Sequence, residues 1–271
     1  MNNPLRACSP GILTLPLLIL AHHLAMLPHE YAHSLMAWLL GFKTAPLALH
    51  YGDASWHSLL TLGQMDENVD YYAIYLLGHQ SLIAPIALAG PALANGGLFL
   101  GCVALINRCS PSKRWRAYFL YLYLLMNLGN LIDYIPSRVF STHGDMGNVA
   151  FALGLSPWWI LLLGGGWVAW AGYYSFHVIL PRMYVLLPLT STRARAKLLI
   201  LSLVVLLGFF GCAGISGYGA ASRELSVACL ATIPGWIWMC WPGRVWVKRQ
   251  IQQQRDRLSQ NNPLSKNKHT G

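Results

Sequence analysis

Six apolar stretches, residues 11–41, 71–106, 117–135, 157–180, 198–217 and 224–242, take up most of this chain of 271 residues and decide what it can fold into. About 20 apolar residues in a helix cross the hydrocarbon core of a bilayer, and in that core the backbone must satisfy its own hydrogen bonds. The pattern predicts an all-α integral membrane protein, a polytopic bundle of about six transmembrane helices. Composition agrees, because only 10% of residues are charged against about 25% in a soluble domain. The first two stretches exceed one span. Pro16 and Pro28 interrupt the first, and Pro85 and Pro91 the second, which predicts breaks or shallow segments there.

The basic residues sort by loop. Segment 107–116 carries Arg108, Lys113, Arg114 and Arg116, segment 181–197 carries Arg182, Arg193, Arg195 and Lys197, and seven more follow Pro242. The alternating segments 42–70, 136–156 and 218–223 hold only Lys43, Arg138 and Arg223, together with Asp53, Asp66, Glu67, Asp70 and Asp145. The positive-inside rule then gives six spans with both termini cytoplasmic, most simply in the cytoplasmic (inner) membrane. The net charge of +10 reads as topology and contact with anionic lipid. Basic residues dispersed over tethers and a tail do not make a nucleic-acid surface. No small-x-small cleavage site stands clearly after the run that follows Arg6, so residues 1–27 do not read as a removed leader. The six cysteines, Cys8 among them, form no C-x-x-C pair and read as small apolar residues.

Within the first stretch stands His29-Glu30-Tyr31-Ala32-His33, an H-E-x-x-H pentapeptide. On a helix, positions i and i+4 share a face, so both imidazoles reach one metal ion. Glu30 is then placed to take a proton from a metal-activated water. Burying two histidines and a carboxylate among lipid chains is costly, so such a cluster marks a functional site. Glutamate occurs three times in the chain, which makes an accidental match improbable.

A catalytic zinc site needs a third protein ligand. The region from Asn127 through Asn130, Asp133 and Pro136 to His143, Asp145 and Gly147 supplies candidates. Asp145 precedes an apolar run and suits a helix start, where it would otherwise be an ordinary cap. Asp133 lies at the end of the third span and would otherwise pair with Arg138 or a neighbouring helix. His143 reads as a loop end. Ala89-Gly90-Pro91-Ala92-Leu93-Ala94-Asn95 combines small residues that allow close helix approach with one amide able to hydrogen-bond across it.

The order HEYAH, AGPALAN and an Asn-rich span ending in an aspartate resembles the site-2 protease family of intramembrane zinc metalloproteases. The resemblance covers roughly residues 20–155. It departs from the family pattern in two places: Pro91 to Asn95 is one residue longer than usual, and no Leu-Asp-Gly occurs. It implies a core built on the H-E-x-x-H helix, Zn2+ held by His29, His33 and Asp145 (Asp133 as the alternative third ligand), and Glu30 as the catalytic residue. The substrate would be a membrane protein cut within or near the bilayer, with Asn95 or His79 aiding at the oxyanion. It also implies that segment 42–56 pairs with extended substrate as a strand, where the residues themselves suggest a loop. Bacterial-type members keep the metal near the cytoplasmic face, whereas the charge pattern here puts Asp133 and Asp145 on the other side, so either the orientation is inverted or the first stretch folds as two segments. The whole chain reads as one membrane-embedded domain, with a catalytic core at about 11–155, added helices at 157–242 and a basic tail at 243–271. The competing reading is an ion or metal transporter with His22, His23, His29, Glu30, His33 and Asp133 as a relay. The absence of a repeated half argues against it.

Overall fold

The computed structural model describes residues 10–260; Arg6, Cys8, Lys266 and Lys268 lie outside them. Its helices are α1 (Pro10–Leu39), α2 (Trp56–Thr61), α3 (Tyr71–Leu76), α4 (Gln80–Leu88), α5 (Gly97–Asn107), α6 (Arg114–Ile132) and α7 (Asp145–Leu153). There follow α8 (Pro157–Tyr174), α9 (Leu180–Leu186), α10 (Thr192–Leu203), α11 (Gly219–Ala231), α12 (Ile233–Cys240) and α13 (Val245–Gln260). Wider π-helical turns continue several of them, at Ala89–Gly96, Asp133–Ser137, Ser175–Ile179 and Val204–Phe210. Among the described residues there is no β-strand. Segment 42–55 is irregular, joined to the following loop by one antiparallel bridge between His50 and Asp66.

The first apolar stretch folds as one helix and not as two segments, although Pro16 and Pro28 lie inside it. A proline in a helix interior leaves the carbonyl four residues back without its donor. For Pro28 that carbonyl is Leu24, and the Tyr123 hydroxyl of α6 donates to it at 3.0 Å. A tertiary hydrogen bond stands in for the lost helical one, as helices in a bilayer require.

The second stretch does break, at Gly78, whose φ of +78° suits glycine. Beyond it, Gln80–Asn107 is one 28-residue helix through both prolines.

The most enclosed helix is α6, buried continuously from Leu124 to Ile132. It packs on α1, α5, α8, α9 and the turn at Val204–Phe210. Enclosure by neighbours on every side puts it in the middle of the bundle. Buried Arg182 of α9 closes the end of α5, donating to the carbonyls of Ile106 (3.1 Å) and Asn107 (2.7 Å), and also to Gln254 of α13 (3.1 Å).

Among the described residues two helices, Gln80–Asn107 and Thr192–Ile215, are long and apolar enough to cross a membrane. A third counts if Gly219–Cys240 and Val245–Gln260, bent by 67°, form one broken span. The tyrosines and asparagines of α6 dilute its hydropathy. Large apolar side chains such as Leu15, Trp158, Leu162 and Leu163 are exposed on the outside of the bundle, as a lipid-facing surface requires.

Candidate metal centre

His29 and His33 lie one turn apart on α1, each 1% exposed. Each ring is fixed through its Nδ1. His33 Nδ1 donates to the Ile86 carbonyl at 2.7 Å. Pro91, five residues after Ile86, has no N–H to compete for that oxygen in the wide turn.

His29 Nδ1 lies 2.6 Å from Asn95 Oδ1. The Asn95 amide nitrogen faces two acceptors, the Ala25 carbonyl (3.3 Å) and Asn127 Oδ1 (3.1 Å), while Asn127 Nδ2 donates to Tyr123 (2.8 Å). The Asn95 oxygen must therefore face the ring, and His29 Nδ1 carries the proton.

With both Nδ1 atoms acting as donors, the Nε2 atoms of the neutral rings are lone pairs. They stand 3.1 Å apart. Asp145 Oδ2 reaches them at 3.2 Å from His29 and 3.4 Å from His33, and this buried oxygen has no hydrogen-bond partner. Three acceptor atoms turned on one point repel unless a cation or extra protons lie between them. Ligands of a tetrahedral zinc with bonds of 2.0–2.1 Å are about 3.3 Å apart, close to all three separations. His29, His33 and Asp145 thus form a buried group able to hold a metal ion.

The neighbouring helix fits this group closely. A Cβ on Gly90 would collide with His33 Nε2 and come within 2.7 Å of His29 Nε2, so the backbone at Gly90 lies directly on the rings. Ala89–Gly96 is a π-helical turn, which holds one residue more per hydrogen-bonded turn than an α-helix. Asn95, within this turn, faces His29.

Asp145 is the first residue of α7, brought to α1 because α7 packs along α4. Gly144, at φ +80°, turns the chain into that helix. Glu30, 5% exposed, takes no part in the hydrogen bonds that fix the rings.

The other candidates lie elsewhere. Asp133 is ion-paired with Arg138. His143 stacks on Tyr218 at 5.3 Å, and His79 lies against Phe42 at 5.5 Å. His22 and His23 hydrogen-bond the carbonyls of Thr61 and Leu59, both at 2.7 Å; they precede His29 by six or seven residues, about 10 Å along the helix. The sequence reading passed over Tyr134, whose ring stacks on His29 at 4.9 Å and 11°. Its position seven residues after Asn127, on the same helical face, was the available signal.

Comparison with protein-family models, with curated proteins and with solved structures finds no match for this chain.

Proposed function

We propose that this protein is an intramembrane zinc metalloprotease that hydrolyses peptide bonds of membrane-protein substrates. The observation that carries the reading is the convergence of the two imidazole Nε2 atoms and an unpartnered carboxylate oxygen beside Glu30 of the same H-E-x-x-H helix. Zinc suits two nitrogens and one carboxylate with a position left open. When bound, it would supply a Lewis acid that polarises the scissile carbonyl and acidifies the attacking water.

The chain's own residues do the rest. His29 and His33 present Nε2, Asp145 presents Oδ2, and Asn95 and the Ile86 carbonyl hold the rings in the tautomer that ligation requires. Glu30 accepts a proton from the attacking water at its carboxylate and returns it to the leaving nitrogen. A helical substrate must be locally unwound before its carbonyls are accessible.

Six spans fit the helices: α1, Gln80–Asn107, α6, α8 with α9, Thr192–Ile215, and α11 with α12. The H-E-x-x-H helix is then part of the core and both termini are cytoplasmic, most simply in an inner membrane. With α1 a single continuous helix, the site lies towards the face that carries segment 42–70, away from the basic loops. A histidine relay for ion transport is disfavoured, because His22 and His23 are occupied by loop carbonyls.

The deciding experiment compares the unsubstituted protein with Glu30→Gln on a panel of single-span substrates. The reading expects about one zinc per chain in both and cleavage only by the former. Equal cleavage by both, or metal flux into liposomes that survives the substitution, overturns it.

A further inference from the structure

We infer that Tyr134 is a positioning residue for the metal ligand His29, held in place by Arg138, and that Asp133 serves this clamp instead of the metal. The inference rests on the reading that His29, His33 and Asp145 hold a divalent ion.

The Asn95 hydrogen bond holds the Nδ1 edge of the His29 ring. The Tyr134 ring, nearly parallel to the imidazole at 11° and 4.9 Å, covers one of its faces and adds a second restraint on its orientation. Stacked aromatic faces contribute beyond simple burial.

Tyr134 is itself backed. The Arg138 guanidinium lies 4.7 Å from the centre of its ring and cannot share the face that His29 covers, so the phenol is sandwiched between imidazole and cation. Arg138 is anchored in turn by the Asp133 carboxylate and donates to the Tyr218 hydroxyl at 2.9 Å, with its guanidinium 5.0 Å from that ring. A column thus runs from the metal ligand through Tyr134 and Arg138 to Tyr218, on a turn flanked by Gly217 and Gly219, both at positive φ. Asp133 is spent on holding Arg138, which explains why an aspartate so near Asn127 is not turned towards the imidazoles.

The test is metal binding by the purified full-length chain, with Zn2+ and Co2+ as probes. Tyr134→Phe keeps the ring and should bind Zn2+ within about twofold of the unsubstituted chain. Tyr134→Leu removes the stack and should weaken binding on the order of tenfold, the scale of a lost ligand-orienting contact. Its visible Co2+ spectrum at saturation should also change, which a stability effect alone would not produce. Asp133→Asn frees Arg138 without touching the ring and should shift affinity in the same direction by less, so the question stays decidable if Tyr134→Leu does not fold. Unchanged affinity and Co2+ spectrum in both Tyr134→Leu and Asp133→Asn overturn the inference while leaving the metal site intact. Abolished binding in Asp133→Asn alone overturns it as well, by making Asp133 a ligand. An unsubstituted chain that takes up neither metal removes the metal reading itself.

Discussion

The Tyr123 hydroxyl donates across 3.0 Å to the Leu24 carbonyl, the acceptor that Pro28 leaves without its helical donor. Tyr123→Phe should therefore lower resistance to unfolding by about 1 kcal/mol. In a Pro28→Ala background residue 28 supplies its own N–H, and the same substitution should cost markedly less. A double-mutant cycle on detergent-solubilised protein measures this. Strictly additive effects would mean that the phenol only packs.

Gly90 should tolerate no side chain, because a Cβ there would collide with the imidazoles of both His29 and His33. Gly90→Ala should reduce bound zinc from about one per chain to a small fraction, as measured by metal analysis after gel filtration. Gly97→Ala, about two turns further along where nothing lies within 4 Å, should retain the metal and gain slightly in stability. Retained zinc in Gly90→Ala would show that the rings sit elsewhere.

Asn95 fixes the tautomer of His29, so Asn95→Ala should weaken zinc binding roughly 10–100-fold while leaving the fold intact. Competition with a chromophoric chelator reads this directly. An affinity equal to that of the unsubstituted chain would remove Asn95 from the site.

On the loop side, Asp53 accepts from the hydroxyls of Ser55 and Ser58, both at 2.6 Å, and from the Ser55 N–H at 3.2 Å. The Ser55 and Ser58 hydrogen bonds hold its carboxyl down to about 2, below the unfolded value of about 3.9. The contribution is therefore complete above pH 4 and is lost as pH falls through about 2. Hydrogen exchange of residues 53–62 should be equally slow at pH 7 and pH 4 after correction for intrinsic rates, and uniformly faster in Asp53→Asn. A protection step near pH 6 would contradict the assignment.

Much of the candidate site was legible along the chain because it is local. The i, i+4 spacing of His29 and His33 and the adjacency of Glu30 need only a helix. Asp145 was legible as a helix start, but preferring it to Asp133 depends on Arg138, whose ion pair exists only once the segment after Pro136 has folded back. Pro28 of α1 read as a break because the compensating donor, Tyr123, is 99 residues away from Leu24. The long spacing from Pro91 to Asn95 read as a departure from a motif, since linear spacing does not distinguish an α turn from a wider one. Tyr134 was hidden for a similar reason: a ring stack is a tertiary relationship. The spans were most legible at Gln80–Asn107 and Thr192–Ile215, which are long and apolar enough to cross a membrane, and less so at α6, whose tyrosines and asparagines interrupt its apolar run.

The wide turn at Ala89–Gly96 makes the register of the second long helix adjustable in steps of one residue. Deleting Ala92 would let that turn close to ordinary α geometry with everything after it kept in phase, so Asn95 would still meet the imidazole. Such a shortened chain would remain as oily as before and would keep the grip on its first histidine, because the wide turn takes up the change in residue count.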